Sequence, residues 1–223
     1  DPNQSSSRIE KYDVDSILIT QGLGQIRDTS DKTKIFSSIP VKEWPVGKTL
    51  KVNIHDGSYE IFSRGHRNPQ GLHVSKDGHI LATEHGQRGG DEINILQKNN
   101  YYGWPEVSYG IGYGEEVENW QKNHGKFSEP LYYFLPSIGI SEIILYNHHE
   151  FSRWNKNILV GSLKRKSLFK LDINWDEKKV KSVEEIDIGC SIRDMEVNNI
   201  GKIYILCDNL DLIEISKSKN DYK

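Results

Sequence analysis

The 223-residue sequence has little of several features that would point to a particular class of protein. It contains two cysteines, one methionine and seven prolines. No apolar run approaches the roughly 20 residues that a membrane-spanning helix needs. Lysine and arginine (29) nearly balance aspartate and glutamate (32), and no basic stripe stands out. The sequence therefore argues against a membrane span and against nucleic acid as a partner.

The two cysteines, Cys190 and Cys207, flank a predicted hairpin that turns at residues 198–201. They could face each other across that hairpin, but a disulfide between neighbouring strands is geometrically demanding. We therefore predict two buried thiols that fill apolar space, in preference to a disulfide. Two cysteines do not decide the redox compartment.

What the sequence does contain is a repeated hairpin, in which two arms of alternating apolar residues flank a turn with Asp, Asn or Gly. Because successive side chains of a strand point to opposite faces, this alternation predicts sheets with one buried face. Further strands are predicted at 167–171 and 210–215, polar connections at 122–130 and 175–181, and a frayed charged tail at 216–223. The four hairpins cover residues 8–20, 71–83, 141–161 and 192–206.

Four small antiparallel units in succession predict an all-β fold, with the units as blades of a β-propeller in a single domain over residues 1–223. A blade takes about 40–50 residues, so the chain has room for about four blades. An incomplete ring would expose a strand edge and an apolar flank. Either the rest lies upstream in a longer protein, or two chains cover each other's open flank as a homodimer.

Polar, charged and glycine residues are concentrated between residues 65 and 105. Turns account for some of the glycines, since Gly adopts backbone angles that other residues avoid. They do not account for an Arg-Asn, a His-Gly and an Asp-Glu pair converging across a short hairpin, so we predict a site here. The runs are Gly-His-Arg-Asn-Pro-Gln-Gly-Leu (65–72), Thr-Glu-His-Gly-Gln-Arg-Gly-Gly-Asp-Glu-Ile-Asn (83–94) and Asn-Tyr-Tyr-Gly-Trp-Pro (100–105).

These motifs, with Pro-Ser-Ile-Gly-Ile-Ser at 136–141 and Gly-Ser-Leu-Lys at 161–164, resemble the glucose/sorbosone dehydrogenase family. That family comprises soluble aldose sugar dehydrogenases that depend on pyrroloquinoline quinone (PQQ). The resemblance implies a six-bladed propeller with PQQ across its top, calcium beneath it, and a periplasmic or secreted location. It also implies hydride transfer from a sugar to the quinone, with electrons leaving to an acceptor that the sequence does not identify.

The resemblance implies that six residues contact the cofactor. PQQ carries three carboxylates and an ortho-quinone, and such a ligand needs cations and a metal that polarises the quinone oxygen. For the arginine at position 67, the alternative is a structural ion pair with Glu84 or Asp91. For the histidine at position 85, the alternative is a turn residue whose hydrogen bonds are made within the protein. The six candidates are Arg67, Asn68, His85, Asp91, Lys164 and Arg193.

Four further residues are implied as calcium ligands. Gly86 and Gln87 match a loop whose backbone carbonyls hold the cofactor-associated calcium, although Gln87 stands where a proline is usual. Glu92 and Tyr102 match a second, structural calcium site that uses a carboxylate and a backbone carbonyl. Calcium prefers oxygen ligands of these two kinds. The alternative for Glu92 is an ordinary surface carboxylate.

The sequence departs from the family where the chemistry takes place. Sugar oxidation needs a general base, and the resemblance implies a His beside an Asp just before the strand at Arg8. Asn3 and Gln4 stand there, and glutamine cannot accept a proton near neutral pH. A turn at 21–25 is also altered, and Ser191 replaces one arginine of an Arg-X-Arg-Asp pattern. We therefore predict no catalytic residue and no dehydrogenase activity in these 223 residues.

Two interpretations remain open. The first is a PQQ-dependent aldose dehydrogenase, represented here by a piece. The second is a non-catalytic, calcium-stabilised propeller module that binds a carbohydrate or a protein partner. Four further histidines favour neither interpretation, because they fall at no family position. They are His55, His124, His148 and His149.

Overall fold

The computed structural model describes residues 6–22, 46–111 and 123–217. Within these ranges the chain forms fifteen strands and a single 3-10 turn, Ser152–Trp154, and no α-helix. The strands are β1 (Ile9–Lys11), β2 (Ser16–Gln21), β3 (Lys48–Asn53), β4 (Tyr59–Arg64), β5 (Pro69–Val74), β6 (Ile80–Glu84), β7 (Asp91–Ile95), β8 (Tyr132–Phe134), β9 (Ile140–Tyr146), β10 (Asn157–Ser162), β11 (Ser167–Asn174), β12 (Lys179–Asp187), β13 (Ile192–Val197), β14 (Ile203–Cys207) and β15 (Leu212–Ile215).

The strands form four antiparallel sheets, and neighbours in each sheet are also neighbours in sequence. Three sheets have four strands (β1 to β4, β5 to β8 and β9 to β12), and the last has three (β13 to β15). This up-and-down order is that of propeller blades. The all-β prediction, the four hairpins and the estimate of about four blades are confirmed.

The chain forms two compact units with a boundary after residue 137, and each unit has its own apolar core. In unit 1 (Asp1–Ser137), one buried cluster is built around Leu18, Phe62 and Leu72. In unit 2 (Ile138–Lys223), a buried cluster gathers Leu159, Leu168 and the apolar side of β13 and β14. The single domain over 1–223 stays a prediction. Most of the tail at 216–223, like Asn3, Gln4 and the second half of the turn at 21–25, lies outside the described residues.

The cysteine prediction was wrong, because Cys190 and Cys207 form a disulfide with their Cα atoms 5.8 Å apart. Cys207 ends β14 and pairs in register with Ile192, the first residue of β13. Cys190 lies two residues before β13, outside the strand ladder. Its backbone is therefore not held in the cross-strand geometry that makes disulfides between paired residues difficult.

The polar connection predicted at 175–181 is shorter than expected, because β12 begins at Lys179. This strand pairs with β11 along its whole length, and most of its residues are exposed. A β-bulge shifts its register near Lys181. The segment is polar because it forms the outer strand of its sheet, with Lys181, Glu184 and Glu185 exposed to solvent.

Tyr146 illustrates how the second unit is held together by a buried polar contact. Its side chain is fully buried, and its hydroxyl donates to the Gly201 carbonyl at 2.8 Å. The same hydroxyl accepts a hydrogen bond from the Phe151 N–H at 3.2 Å. Gly201 has φ +88°, and a Cβ there would lie 2.0 Å from the His148 ring, so the approach of these loops requires glycine.

Replacing Tyr146 by Phe is expected to lower the free energy of unfolding by about 1–3 kcal/mol, because it leaves the Gly201 carbonyl and the Phe151 N–H without their partner in the core. Urea denaturation measures the effect. The matched control is Tyr204→Phe, whose hydroxyl bonds Glu214 near the surface and whose loss should cost less than about 0.5 kcal/mol. Equal losses in the two variants would contradict this account.

Candidate functional site

The hairpin of β5 and β6 brings the central motifs to one edge of their sheet. Pro69 at the start of β5 pairs with Glu84 at the end of β6, and Glu84 pairs with Glu92 at the start of β7. Because the strands are antiparallel, the segment before β5 and the loop after β6 emerge side by side. The predicted convergence of Arg67, Asn68 and the 85–91 loop is present in the structure.

Arg67 is buried and reaches across this edge to the opposite loop. Its Nη1 atom donates to the His85 carbonyl at 2.7 Å and to the Gly86 carbonyl at 2.9 Å. The guanidinium also lies 5.5 Å from the ring centroid of Trp104, within the range of a cation–π contact. Glu84 also contacts the backbone of this residue, since its Oε2 accepts a hydrogen bond from the Arg67 N–H at 2.8 Å.

The loop after β6 is tight, and Asp91 supports it from within. Asp91 is fully buried, and its Oδ1 accepts a hydrogen bond from the Gly86 N–H at 3.1 Å. A Cβ at position 86 would lie 2.0 Å from the Gly89 carbonyl oxygen, so only glycine fits this turn. On the other side of the loop, the Asn68 carbonyl accepts a hydrogen bond from the His85 N–H at 3.0 Å. Asp91 therefore shapes the loop, and its contact with a cofactor stays a prediction.

Arg67 is supported by a buried network of hydrogen-bonded side chains that the sequence did not reveal. His66 Nδ1 lies 2.6 Å from Glu84 Oε1, and His66 Nε2 lies 2.8 Å from the Ser63 hydroxyl. The tautomer with hydrogen on Nδ1 satisfies both contacts, since it donates to Glu84 and accepts from Ser63. The order Ser-His-Glu is that of a hydrolytic triad, but Ser63 is 0% exposed. No substrate can reach the Ser63 hydroxyl, so this group of three side chains has a structural role.

Glu92 is buried, which excludes the ordinary surface carboxylate. Burial raises the pKa of Glu92, although the neighbouring His124 opposes the shift. Asn94 lies between the two acids of this edge, with its Nδ2 3.3 Å from Glu84 Oε1 and 3.4 Å from Glu92 Oε2. Glu92 and Tyr102 both line a cavity of about 20 Å³, together with Arg67 and Glu84.

His124 belongs to the same group, although it falls at no family position. It is 1% exposed, its Nε2 lies 3.4 Å from Glu92 Oε1, and its ring stacks on Tyr109. Burial lowers the pKa of His124, but the Glu92 carboxyl group, the Ser128 carbonyl and the charge of Glu129 together leave that pKa above its usual value. His124 comes from a loop 32 positions after Glu92 in the sequence, and no local pattern connects the two.

Lys164 and Arg193 both belong to unit 2, Lys164 in the turn between β10 and β11 and Arg193 near the start of β13. Lys164 is exposed, and its backbone N–H donates to the Ile138 carbonyl at 3.1 Å, which anchors the 161–164 motif to the 136–141 motif. Arg193 is exposed and forms an ion pair with Asp208. Their assignment to a cofactor stays a prediction.

The edge around Arg67 combines a guanidinium, two convergent carbonyl oxygens and a buried carboxylate beside a small cavity. Cations of this kind bind carboxylates, and carbonyl and carboxylate oxygens bind calcium. In the described part of the chain, no three His, Cys, Asp or Glu side chains are grouped closely enough to hold a metal ion by themselves. A calcium site here would have to include backbone carbonyls. The same ranges contain no helix long and apolar enough to cross a membrane.

Comparison with known proteins matches residues 3–213 to the family described as Glucose / Sorbosone dehydrogenase. The chain is similar to the aldose sugar dehydrogenase YliI of Escherichia coli (strain K12), with 34% identity over 169 residues, which are 70% of this chain and 44% of that protein. It is also similar to quinoprotein glucose dehydrogenase B of Acinetobacter calcoaceticus, with 40% identity over 75 residues, which are 28% of this chain and 16% of that protein. The chain thus spans less than half the length of these curated relatives.

Solved structures show the same relationship. A crystal structure of a glucose dehydrogenase superposes with a TM-score of 0.74 at 30% identity, covering 91% of this chain and 61% of the other. The soluble aldose sugar dehydrogenase from Escherichia coli, in its apo-form, superposes with a TM-score of 0.74 at 27% identity, covering 94% of this chain and 63% of the other. The propeller fold and the match over residues 3–213 show that the chain belongs to the glucose/sorbosone dehydrogenase family.

Proposed function

We propose that this chain carries the PQQ- and calcium-binding part of an aldose sugar dehydrogenase. The observation that carries the proposal is the edge of the β5–β6 hairpin, where Arg67 and the loop carbonyls of His85 and Gly86 converge. Relatives named as an aldose sugar dehydrogenase and as a quinoprotein glucose dehydrogenase support it.

The residues present fit the two implied groups. The carbonyls of His85 and Gly86 both accept hydrogen bonds from Arg67 Nη1, so this loop turns backbone oxygens, the kind of donor that calcium prefers, to one side. The predicted calcium ligands at this loop are the Gly86 and Gln87 carbonyls, and Gly86 is the residue shared with the observed pair. Glu92 fits the second calcium site, because it is a buried acid that lines a small cavity with Tyr102. Cavities of this size suit one ion or water molecule.

Each candidate residue is given a part in the proposal. Bound PQQ would supply the two-electron acceptor for a hydride from the sugar. Arg67, with Asn68 and His85 beside it, would hold an anionic edge of the cofactor. Lys164 and Arg193, in unit 2, remain predicted contacts of a carboxylate ligand. The buried Glu84 carboxyl group, which also contacts His66, holds the Arg67 backbone N–H in place.

The 223 residues lack an assigned general base, so we propose that they bind the cofactor without oxidising sugar. The alternative function, a non-catalytic calcium-stabilised module for a carbohydrate or protein partner, is favoured by Asn3 and Gln4 standing where the family has its base. An exported location is the proposal for the compartment, and the Cys190–Cys207 disulfide supports it, since disulfides persist in oxidising surroundings. The homodimer through an open flank, the sugar and the electron acceptor remain hypotheses.

PQQ should bind the purified chain in the presence of calcium, and Arg67→Met should weaken that binding about 10- to 100-fold, the effect of losing a charge-assisted hydrogen bond. Fluorescence titration measures the dissociation constant. Arg165→Met is the matched control, because Arg165 is an exposed arginine paired with Glu185, and it should leave the constant within about twofold.

The same preparation, given glucose and an artificial acceptor dye, is expected to show no turnover while PQQ is bound. Failure of the wild-type chain to bind PQQ would refute the proposed function. Measurable turnover that survives mutation of every assigned contact would refute the assignments.

Calcium should raise the melting temperature of the wild-type chain by several degrees at saturating concentration, because a ligand that binds only the folded state stabilises it. Glu92→Gln keeps the shape of the side chain but removes its charge, and it should abolish most of that rise. Glu60→Gln is the control, since Glu60 is an exposed acid paired with Lys98. An equal rise in the Glu92 and Glu60 variants, measured by calorimetry, would remove Glu92 from the calcium site.

A further inference from the structure

A second cleft in unit 1 lies beside the sheet of β1 to β4. Its volume is about 380 Å³, within the range of about 300–1,000 Å³ that is typical of small-molecule sites. It forms where the turn between β1 and β2 meets the turn between β3 and β4, and the Ile54 N–H joins the two turns by donating to the Asp15 carbonyl at 2.9 Å. The residues that line the cleft include Asp13, Asp15, Ser16, Lys51, Asn53 and Glu60.

This cleft and the edge around Arg67 lie at opposite ends of the same strand. Ser16 lines the cleft and begins β2. Gly22 follows the end of β2 and packs against the other site, since a Cβ at position 22 would lie 2.9 Å from the Arg67 carbonyl oxygen. A strand of six residues spans about 16–20 Å, so the cleft is separate from the proposed cofactor site.

The strand register places four polar side chains of the cleft on one face of the sheet. Ser16 pairs with Asn53, and Lys51 pairs with Glu60. Residues 51 and 53 are two positions apart on β3, so their side chains point to the same face. Leu18 belongs to that face as well, because it pairs with Lys51, and it is buried in the core of the unit. The four polar groups therefore extend the buried face of the sheet into the cleft.

Ser16 carries a buried hydroxyl group whose hydrogen-bonding capacity is not used by the protein. The side chain is 4% exposed, and its Oγ has no hydrogen-bond partner of normal geometry among the described residues. The hydroxyl lies near the Asp13 carboxyl group, and together with the Asp15 N–H it lowers the pKa of Asp13 to about 2. A hydroxyl also has two acceptor lone pairs, and no described donor reaches them. Leaving such a group unpaired is costly, which points to a ligand that donates to Ser16.

Asn53 and Lys51 supply donors to the same cleft. Asn53 Oδ1 accepts a hydrogen bond from the His55 N–H at 2.8 Å, and within the described ranges its NH₂ group meets no acceptor. Lys51 Nζ lies 3.1 Å from Asp13 Oδ2 and 4.6 Å from the ring centroid of Tyr12. An ammonium group has three protons, so these two contacts leave Lys51 able to donate to a ligand.

The charges of the lining narrow the class of ligand. Three carboxylates face one ammonium group, so an anion such as phosphate is disfavoured. A metal ion is disfavoured as well, because the described residues contain no group of three His, Cys, Asp or Glu side chains that could hold one. Each carboxylate already has a basic partner, and these partners are Lys51, His55 and Lys98. A neutral polyol suits the cleft, since each of its hydroxyls both donates and accepts.

We propose that this cleft binds a neutral carbohydrate, one hexose unit of a mono- or oligosaccharide, through hydrogen bonds to the sugar hydroxyls. Ser16 and Asp13 accept from these hydroxyls, and Asn53 and Lys51 donate to them. The site goes beyond the proposed function, because it requires neither PQQ nor calcium and lies at the other end of β2. Binding there involves no chemical step.

NMR titration of the isotope-labelled wild-type chain with glucose and with maltose, in the absence of PQQ, tests the site. Saturable shifts are expected at the amides of Asp15, Asn53 and Glu60, while those of Arg67 and His85 stay in place. No saturable shift with either sugar, or shifts confined to the edge around Arg67, would overturn the proposal. The proposed function is tested separately by PQQ binding, and neither result bears on it.

Ser16→Ala separates sugar binding from folding. It removes a buried hydroxyl without a partner of normal geometry, so the melting temperature should stay the same or rise. The dissociation constant for glucose should nevertheless increase about 3- to 10-fold, the effect of one lost hydrogen bond. Thr49→Val is the matched control, because Thr49 also has a buried hydroxyl without a described partner in this sheet but does not line the cleft. It should leave the constant within about twofold. Equal constants for the wild-type chain and Ser16→Ala would overturn the assignment.

A divalent cation is the competing occupant, because the lining is acidic. Calcium chloride should neither shift the Asp13 and Asp15 amides saturably nor change the dissociation constant for glucose, and calcium bound elsewhere in the chain would leave both unaffected. Asn53→Ala should raise that constant about 3- to 10-fold, since a sugar acceptor loses its donor. Calcium that displaces glucose from the cleft, or an unchanged constant in Asn53→Ala, would overturn the proposal.

Discussion

The site depends on one buried carboxyl group, that of Glu84. Its two oxygens contact His66, the Arg67 backbone N–H and the Asn94 amide, so it joins the segment before β5 to β6 and β7. A buried carboxyl group is costly unless its oxygens are satisfied, and these contacts satisfy them. With the backbone at 67 held in this way, the guanidinium can reach the two loop carbonyls. The position of Arg67 at the edge of the β5–β6 hairpin is thus set by the buried polar network around Glu84.

The hairpins were predictable from sequence because strands with one buried face alternate strictly, as β2 does from Ser16 to Gln21. The outer strand β12 was not, because a strand at the surface carries no strong alternation and its bulge shifts the pattern. The disulfide was misjudged for a related reason. Whether Cys190 lies inside or just before a strand decides its geometry, and sequence patterns place strand ends only approximately.

The candidate site was predictable where its residues are close in sequence. Arg67, Asn68, His85 and Gly86 lie on two loops of one hairpin, so a correct hairpin brings them together. The pairing of Glu92 with His124 could not be foreseen in this way, since the two residues are far apart and no local pattern links them. The role of Asp91 also needed coordinates, because a buried carboxyl that supports a loop and one that faces a ligand have the same sequence signature.

The outer strand β12 has a consequence for how these molecules behave in concentrated solution. In the described part of the chain no further strand pairs with its outer edge, and it carries exposed charged side chains of both signs, among them Lys179, Lys181 and Glu184. A second strand that docked there would have to desolvate these groups and match their signs along its length. The sheet of β9 to β12 is thereby protected against open-ended stacking of one molecule on the next, the route by which unpaired strands seed fibres.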